Sequence, residues 1–307
     1  MSATIRVLER DRTFTPLGIR FWDAALDQPV AEPLSVNAWL RGTAHRPVRA
    51  VRSTGGVYAF HGLPGQAAAE RPAADEEHPE SAGVPREYAV AVDDPSGRYL
   101  PVAFGVTLPL GYRGEFLSGG VASPPQASPP QAAGRAYLFP AAGRAVPPGL
   151  AAIRADFADA VTGHPAAWAV LTATVAGETR TAIADQDGRA LLLVPFPTPE
   201  RLRQGSPPVD TREATWPVEF SVRWEPGALR YLFDERDGLN PAWAARPSLK
   251  SILDEQGAAD TWTNEDQEPV AEWTDTLVHG RELVLRTTLA GGERASTVWI
   301  SAGASPP

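Results

Sequence analysis

The sequence lacks cysteine altogether and contains one lysine, Lys250, among its 307 residues. Without cysteine the chain can form neither a disulfide framework nor a thiolate metal site, and it has no thiol nucleophile. Arginine supplies almost all of the positive charge, and the formal net charge is -9. Because contacts to phosphate need a basic surface, this balance argues against a nucleic-acid partner.

Long apolar runs are also missing. No window approaches the roughly 18 apolar residues that a membrane-spanning helix needs, so membrane insertion is not expected. The first residues carry charges where a signal peptide would have its apolar segment: Arg6, Glu9, Arg10, Asp11 and Arg12. The sequence therefore predicts a chain that has no signal peptide and stays in the cytoplasm.

Recognised catalytic motifs are absent as well. The sequence has no Walker loop, no Gly-x-Gly-x-x-Gly, no Gly-x-Ser-x-Gly elbow and no His-Glu-x-x-His. Its five histidines are scattered singly, mostly at predicted turns: His45, His61, His78, His164 and His279. No catalytic residue, cofactor or metal site is predicted, and the chain is expected not to be an enzyme.

Two carboxylate patterns each allow a second interpretation. Asp185-x-Asp187-Gly188 resembles the opening of a calcium loop, but the later oxygen ligands of such a loop are missing, so a hairpin turn is the preferred interpretation. Asp23 and Asp27 could form a general acid and base pair, although no cleft is marked around them. An aspartate placed before a turn is the simpler explanation.

What the sequence does have is many turn formers. It contains 31 prolines and 27 glycines, with 43% hydrophobic residues. Strands of roughly 5 or 6 residues need many punctuating turns, so this composition is typical of an all-β protein. Long helices are not expected.

An internal repeat sets the predicted architecture. Residues 153–195 read as strand, turn, strand, turn, strand, and residues 19–64 repeat this order in weaker form. The corresponding positions are Asp23 and Asp159, Pro29 and Pro165, and Gly56 and Gly188. The repeat predicts two tandem β-sandwich domains, transthyretin-like or immunoglobulin-like.

Alternation supports the individual strands. Apolar residues at every second position share one face of the segment 34–40, which is the pattern of a half-buried strand. The same pattern recurs at Val218, Phe220, Val222 and Trp224, all predicted to lie in the core.

The predicted domain bounds follow from these patterns. Residues 1–112 form the first sandwich and residues 149–307 the second. The segment 113–148, which contains Ser-Pro-Pro-Gln-Ala twice, is expected to be a proline-rich linker or projecting loop. The second domain carries an insertion, 229–269, with one predicted helix at 248–256.

Three tryptophans are candidates for partner binding. Trp22 and Trp39 fall in the polar phase of their strands, and Trp299 is opposite in phase to Val298 and Ile300. A tryptophan that faces outward suggests an interface. The alternative is that other parts of this chain cover these side chains.

The repeat resembles a known family. The order strand, Asp-x-x-Thr-Gly-x-Pro at 159–165, alternating strand, and Asp-x-x-Gly at 185–188 is similar to the carboxypeptidase regulatory-like units, which are small transthyretin-like β-sandwiches. The first copy departs from this pattern, because Leu26 and Asp27 replace Thr-Gly and Ser53 stands where the turn acid would be.

A second resemblance concerns most of the chain. Residues 16–23, 56–65 and 249–253 resemble, in their amino-acid sequence, proteins encoded with phage-tail-like contractile injection systems. This resemblance implies a structural or accessory component whose partners are other subunits of the particle, docked at the cap or baseplate. The alternative is a carbohydrate-binding or cell-surface-binding module in which Trp22 and Trp39 stack on sugar rings.

Overall fold

The computed structural model describes residues 15–43, 46–71, 84–108, 135–197, 214–234, 239–264 and 266–303. Most of the predicted proline-rich segment, residues 113–134, lies outside the described residues. Within the described part the chain is built from β-strands with a few short helical turns. The prediction of an all-β sandwich fold is confirmed.

Nine strands form two sheets among the described residues of the first half. They are β1 (Leu17–Asp23), β2 (Gln28–Pro29), β3 (Ser35–Leu40), β4 (Val48–Arg49), β5 (Val51–Arg52), β6 (Val57–Phe60), β7 (Arg86–Asp93), β8 (Val102–Leu108) and β9 (Arg135–Leu138). One sheet has the order β2-β1-β6-β5 with β9 also beside β1, and the other has the order β4-β3-β7-β8.

Eleven strands follow in the part of the second half that the structure describes. They are β10 (Leu150–Asp159), β11 (Val170–Val175), β12 (Glu178–Ile183), β13 (Arg189–Pro195), β14 (Thr215–Arg223), β15 (Ala259–Trp262), β16 (Glu272–Val278), β17 (Leu283–Val284), β18 (Thr287–Thr288), β19 (Arg294–Ala295) and β20 (Thr297–Ala302). The sheets have the orders β13-β10-β20-β15, with β17 also beside β10, and β12-β11-β14-β16, and β18 pairs with β19.

The two halves repeat one pairing scheme. Strand β1 pairs antiparallel with β6 and parallel with β9, and β10 pairs antiparallel with β13 and parallel with β20. The second sheets also correspond, because β4-β3-β7-β8 and β12-β11-β14-β16 share the same antiparallel order. The internal repeat of the sequence is therefore also a repeat of sheet topology.

Alternating burial builds a core between the sheets of each half. In β1 the side chains of Leu17, Ile19 and Phe21 are buried while the intervening ones are partly exposed. Burying one such side chain contributes about 1.5 to 3 kcal/mol. In the second half Val218 and Phe220 face the core, as the alternation of β14 predicts.

The predicted turn at Asp187-Gly188 is observed, and Gly188 is required there, but the turn does not form a hairpin. Strand β12 lies in one sheet and β13 in the other, so the turn carries the chain from sheet to sheet. The φ of Gly188 is +78°, and the N–H of Phe157 donates to its carbonyl at 2.8 Å. A Cβ at this position would lie 2.3 Å from the carbonyl oxygen of Phe157. Any other residue would be strained by its backbone conformation and would collide with β10.

Strand β9 lies within the predicted linker. It extends the first sheet by pairing in parallel with β1, and the residues from Ala136 to Phe139 are buried in the first core. Further along, Arg144 is also buried. The described part of the predicted linker, residues 135–148, is thus built into the first sandwich, and the predicted domain bounds stay a prediction.

The insertion contains the predicted helix in a modified form. Residues 249–255 are helical, with π-type hydrogen bonding over Ser251–Glu255, and two shorter turns lie at Pro226–Ala228 and Pro241–Ala244. A further turn, Ala67–Glu70, lies in the first half. Leu249, Ile252 and Leu253 are buried in one cluster with the first core and with residues of the second half.

Gln256 fixes the end of this helical segment. Its side-chain amide donates to the carbonyls of Trp168 at 2.9 Å and Ile252 at 3.0 Å, and it accepts from the N–H of Glu225 at 3.0 Å. All of these bonds are local to the junction of the two halves. The insertion is therefore anchored by hydrogen bonds as well as by apolar packing.

Candidate docking surfaces

Trp39 is not on the protein surface. It points away from the first core, as its strand phase predicts, but only 3% of its surface is exposed. Its ring lies against Phe233 of the insertion with centroids 6.1 Å apart, and Trp243 completes the cluster. The insertion covers this sheet face, so Trp39 is inaccessible to a partner.

Asp93 holds the insertion on the covered face. Arg246 donates to one oxygen of its carboxylate at 2.8 Å, and the indole N–H of Trp243 donates to the other at 3.3 Å. The Arg246 guanidinium is itself nearly buried. Because these are charge-assisted bonds beside an apolar cluster, they fix the orientation of the insertion.

Trp22 has a partly covered position. It packs against the edge of the first core, and in the sheet it lies between Pro29 of β2 and Tyr137 of β9. Part of its ring remains exposed. It offers less free area than an outward tryptophan on an open strand.

Trp299 lies on the outer face of its sheet. Its neighbours Val298 and Ile300 are buried in the second core, which turns the Trp299 side chain to the opposite face. Trp262 of β15 is its partner in the strand register. The two tryptophans therefore stand side by side on one sheet face, and both are partly exposed.

An open edge lies on one side of the second sandwich. Among the described strands, β16 pairs only with β14, so its other edge borders a cleft of about 420 Å³. The facing wall is formed by residues 281–286, and Leu285 and Val298 of the core lie at the base. A cleft of this size can accept a segment of another molecule.

Three arginines surround this cleft. Arg281, Arg286 and Arg294 are exposed, and none of their side chains forms an ion pair or hydrogen bond with another residue in the described part of the chain. Among the described residues, two acidic side chains also line the cleft. Glu282 pairs with Arg154, and Asp275 accepts the N–H of Thr276 at 2.7 Å.

Little in the sequence predicts this surface. Arg286 directly precedes the two-residue strand β18, and Arg294 lies in the two-residue strand β19, so no alternation marks them as one group. The available signal was the concentration of arginines between residues 281 and 294 in a chain of net charge -9. Only the fold shows that they line the same cleft as the edge of β16.

A second cleft, of about 440 Å³, lies between the two halves and is lined by carboxylates. These are Asp93, Asp94, Asp185 and Asp187. Asp94 accepts from Ser96 at 2.6 Å and from the N–H groups of Arg98 and Tyr99. Burial alone would raise the pKa of the Asp94 carboxyl, but these hydrogen bonds outweigh burial and lower it below its ordinary value.

The remaining acids of this cleft are engaged as well. Asp185 accepts from the N–H groups of Asp187 and Arg189, both at 2.9 Å, and its second oxygen pairs with the Arg189 guanidinium. Asp187 pairs with the same guanidinium. In the described part of the chain no group of three or more metal-ligating side chains is found. Asp185 thus stabilises the turn between β12 and β13, which lie in different sheets and do not form the predicted hairpin.

Asp23 is buried and serves a structural role. Its carboxylate accepts from Arg144 at 2.5 Å, from the hydroxyl of Tyr99 at 2.9 Å, and from the turn N–H of Ala25 at 2.8 Å. Burial, and next the neighbouring Asp23 carboxylate, raise the pKa of Tyr99 well above its ordinary value. With about 1% of the Asp23 side chain exposed, substrate cannot reach this carboxylate.

Comparison with known proteins adds little. No protein-family model and no curated protein sequence matches the chain, and no helix among the described residues is long and apolar enough to cross a membrane. The chain is similar to the Bacillus anthracis TIE protein, with 10% identity over 70% of this chain and 29% of that chain and a TM-score of 0.21. It thus spans less than a third of that protein.

A second similar structure is the shaft pilin spaA from Lactobacillus rhamnosus GG. The identity is 10%, the match covers 75% of this chain and 86% of that chain, and the TM-score is 0.18. Similarity this low implies nothing about what this chain binds.

Proposed function

We propose that this chain is a non-enzymatic structural or accessory component of a phage-tail-like contractile injection particle. It would act by docking on neighbouring subunits at the cap or baseplate. The observation that carries the docking part of the proposal is the free edge of β16 beside an open cleft. An unpaired strand edge offers main-chain donors and acceptors to a partner strand.

The assignment to such a particle rests on the resemblance of residues 16–23, 56–65 and 249–253 described above. The transthyretin-like character of the two sandwiches belongs to the same proposal. Under it the chain remains in the cytoplasm until it is assembled into the particle.

The pKa and the ion pairs of the acidic residues in the cleft between the halves agree with a non-enzymatic role. A general acid needs a pKa raised toward the working pH. Asp94 instead has a lowered pKa, and Asp93, Asp185 and Asp187 are held by arginines. The carboxylates of the cleft between the halves therefore support the architecture.

The carbohydrate-binding alternative loses one of its two residues. Trp39 lies beneath the insertion and cannot stack on a sugar, which leaves Trp22 with its partly covered ring. A glycan array with the purified protein tests this alternative directly. The docking proposal expects no signal above background.

Sedimentation of particles from the native host tests the docking proposal. A tagged, full-length chain should co-sediment with sheath and tube subunits, as identified by mass spectrometry. The tagged variant Trp299→Ala tests separately whether the predicted partner-binding residue Trp299, on the outer face of the other sheet, also contributes to docking. A chain that stays in the supernatant while intact particles sediment would contradict the proposal.

A further inference from the structure

The cleft beside β16 combines three features that suit one kind of ligand. Strand β16 is seven residues long, and its free edge is largely exposed. Leu285 and Val298 provide an apolar base. Arg281, Arg286 and Arg294 provide positive charge at the rim. An extended peptide can use all three, since its backbone pairs with the edge while its side chains alternate between base and rim.

The charge of the rim selects the sign of that peptide. The three arginine side chains have no ion-pair partner among the described residues, although the chain as a whole has a net charge of -9. Of the two acids beside them, Glu282 is already paired with Arg154. Guanidinium groups bind carboxylates through paired, directional hydrogen bonds.

We propose that an extended acidic segment of a partner protein binds along β16 as an added strand, with its carboxylates on Arg281, Arg286 and Arg294. This inference rests on the proposed docking function and names the chemistry of the partner. In the free protein the N–H of Thr276 donates to the carboxylate of Asp275. When the incoming strand binds, this N–H donates instead to a backbone carbonyl of that strand.

The geometry disfavours a sugar, a small anion and nucleic acid as the ligand. One face of the Trp273 ring is stacked on Phe220, with centroids 5.3 Å apart and an interplanar angle of 26°, which limits its use as a platform for a sugar. A small anion would contact the arginines but would leave the strand edge and the apolar base unused. The acidic surface elsewhere repels nucleic acid.

A peptide array with the full-length protein tests the proposal. Peptides alternate glutamate with valine or leucine, and the matched sets replace glutamate by lysine or alternate valines by proline. The acidic set should bind, and the lysine set should not. The proline set should bind more weakly, because proline cannot donate to a strand. Binding should weaken as the salt concentration rises.

Charge variants then place the peptide in the cleft. The triple variant Arg281→Gln, Arg286→Gln, Arg294→Gln should lose affinity by about tenfold to a hundredfold, as expected for several partly exposed guanidinium–carboxylate contacts. The matched control removes three exposed arginines of the first half, Arg46, Arg49 and Arg71, and should change affinity by less than about twofold. Asp275→Asn should strengthen binding, because it removes a like charge.

Several results would overturn the inference: no preference for the acidic set, equal effects of the two triple variants, or binding of a sulfated polysaccharide but of no peptide. A particle assay separates this failure from failure of the proposed function. If particles assembled with the Arg281, Arg286 and Arg294 variant are normal while particles without the chain are defective, the docking function holds and the acidic strand does not.

Discussion

The buried ion pair between Asp23 and Arg144 allows a quantitative test of how the first sandwich is held together. Only about 1% of either side chain is exposed, and the two are joined at 2.5 Å. The substitution Arg144→Met leaves the Asp23 carboxylate with Tyr99 and the turn N–H groups alone. Loss of one partner of a buried pair costs about 3 to 5 kcal/mol of unfolding free energy.

The companion variants separate the pair from its surroundings. Asp23→Asn keeps an oxygen that can accept from the turn but leaves the guanidinium of Arg144 buried without its counter-charge. One terminal nitrogen of the Arg144 guanidinium, Nη1, already has no hydrogen-bond partner. The double variant removes both charges, so its cost should fall below the sum of the single costs by about 2 to 3 kcal/mol.

Urea unfolding followed by tryptophan fluorescence measures these free energies, with the first transition analysed separately if the two halves unfold in sequence. A loss below about 1 kcal/mol for Arg144→Met would refute the assigned role of the ion pair. Strictly additive single and double variants would refute the coupling.

Three further predictions concern single residues. Gly188→Ala should lower the free energy of unfolding by at least about 3 kcal/mol, because backbone strain and a collision with β10 both contribute. Gly177→Ala is the control: its φ is similar but the space around it is open, so it should lower that free energy by about 1 kcal/mol. Urea unfolding midpoints of the two variants measure the difference. Trp39→Ala should cost about 3 to 5 kcal/mol. Trp299→Ala should lower the free energy of unfolding by about 1 kcal/mol or less, measured in the same way. Equal losses for the Trp39 and Trp299 variants would contradict the buried position of Trp39 and the outer position of Trp299. The raised pKa of Tyr99 means that its contribution to stability is complete below the ordinary tyrosine pKa and is lost at higher pH, so Tyr99→Phe should flatten the alkaline loss seen in melting temperature.

The regular parts of the fold were predictable from local patterns. Alternation along β1 and β14 sets which side chains enter the core, and the acid and glycine at Asp185 and Gly188 mark the turn there. These features depend on neighbours in the sequence. The strands on either side of that turn lie in different sheets, which the local pattern did not indicate. The antiparallel pairs β1–β6 and β10–β13 fall largely within the repeated segments of the sequence. The parallel pairs β1–β9 and β10–β20 each include a strand outside those segments and join distant parts of the chain.

Long-range packing was not predictable in this way. Trp39 is covered by a segment nearly two hundred residues later in the chain, as shown by its contact with Phe233. Arg144 stands in a proline-rich segment whose composition indicates a linker, and no local signal joins it to Asp23. The cleft beside β16 is lined by residues of β16 and of β17, which belong to different sheets. The alternation of residues within each strand does not specify how these two sheets are placed.

The docking claim is tested most directly by electron microscopy of particles purified from the native host with and without this chain. Particles without the chain should be mis-assembled or unstable, and supplying the wild-type chain should restore them. Intact, fully functional particles in its absence would show that the chain is not a docking component.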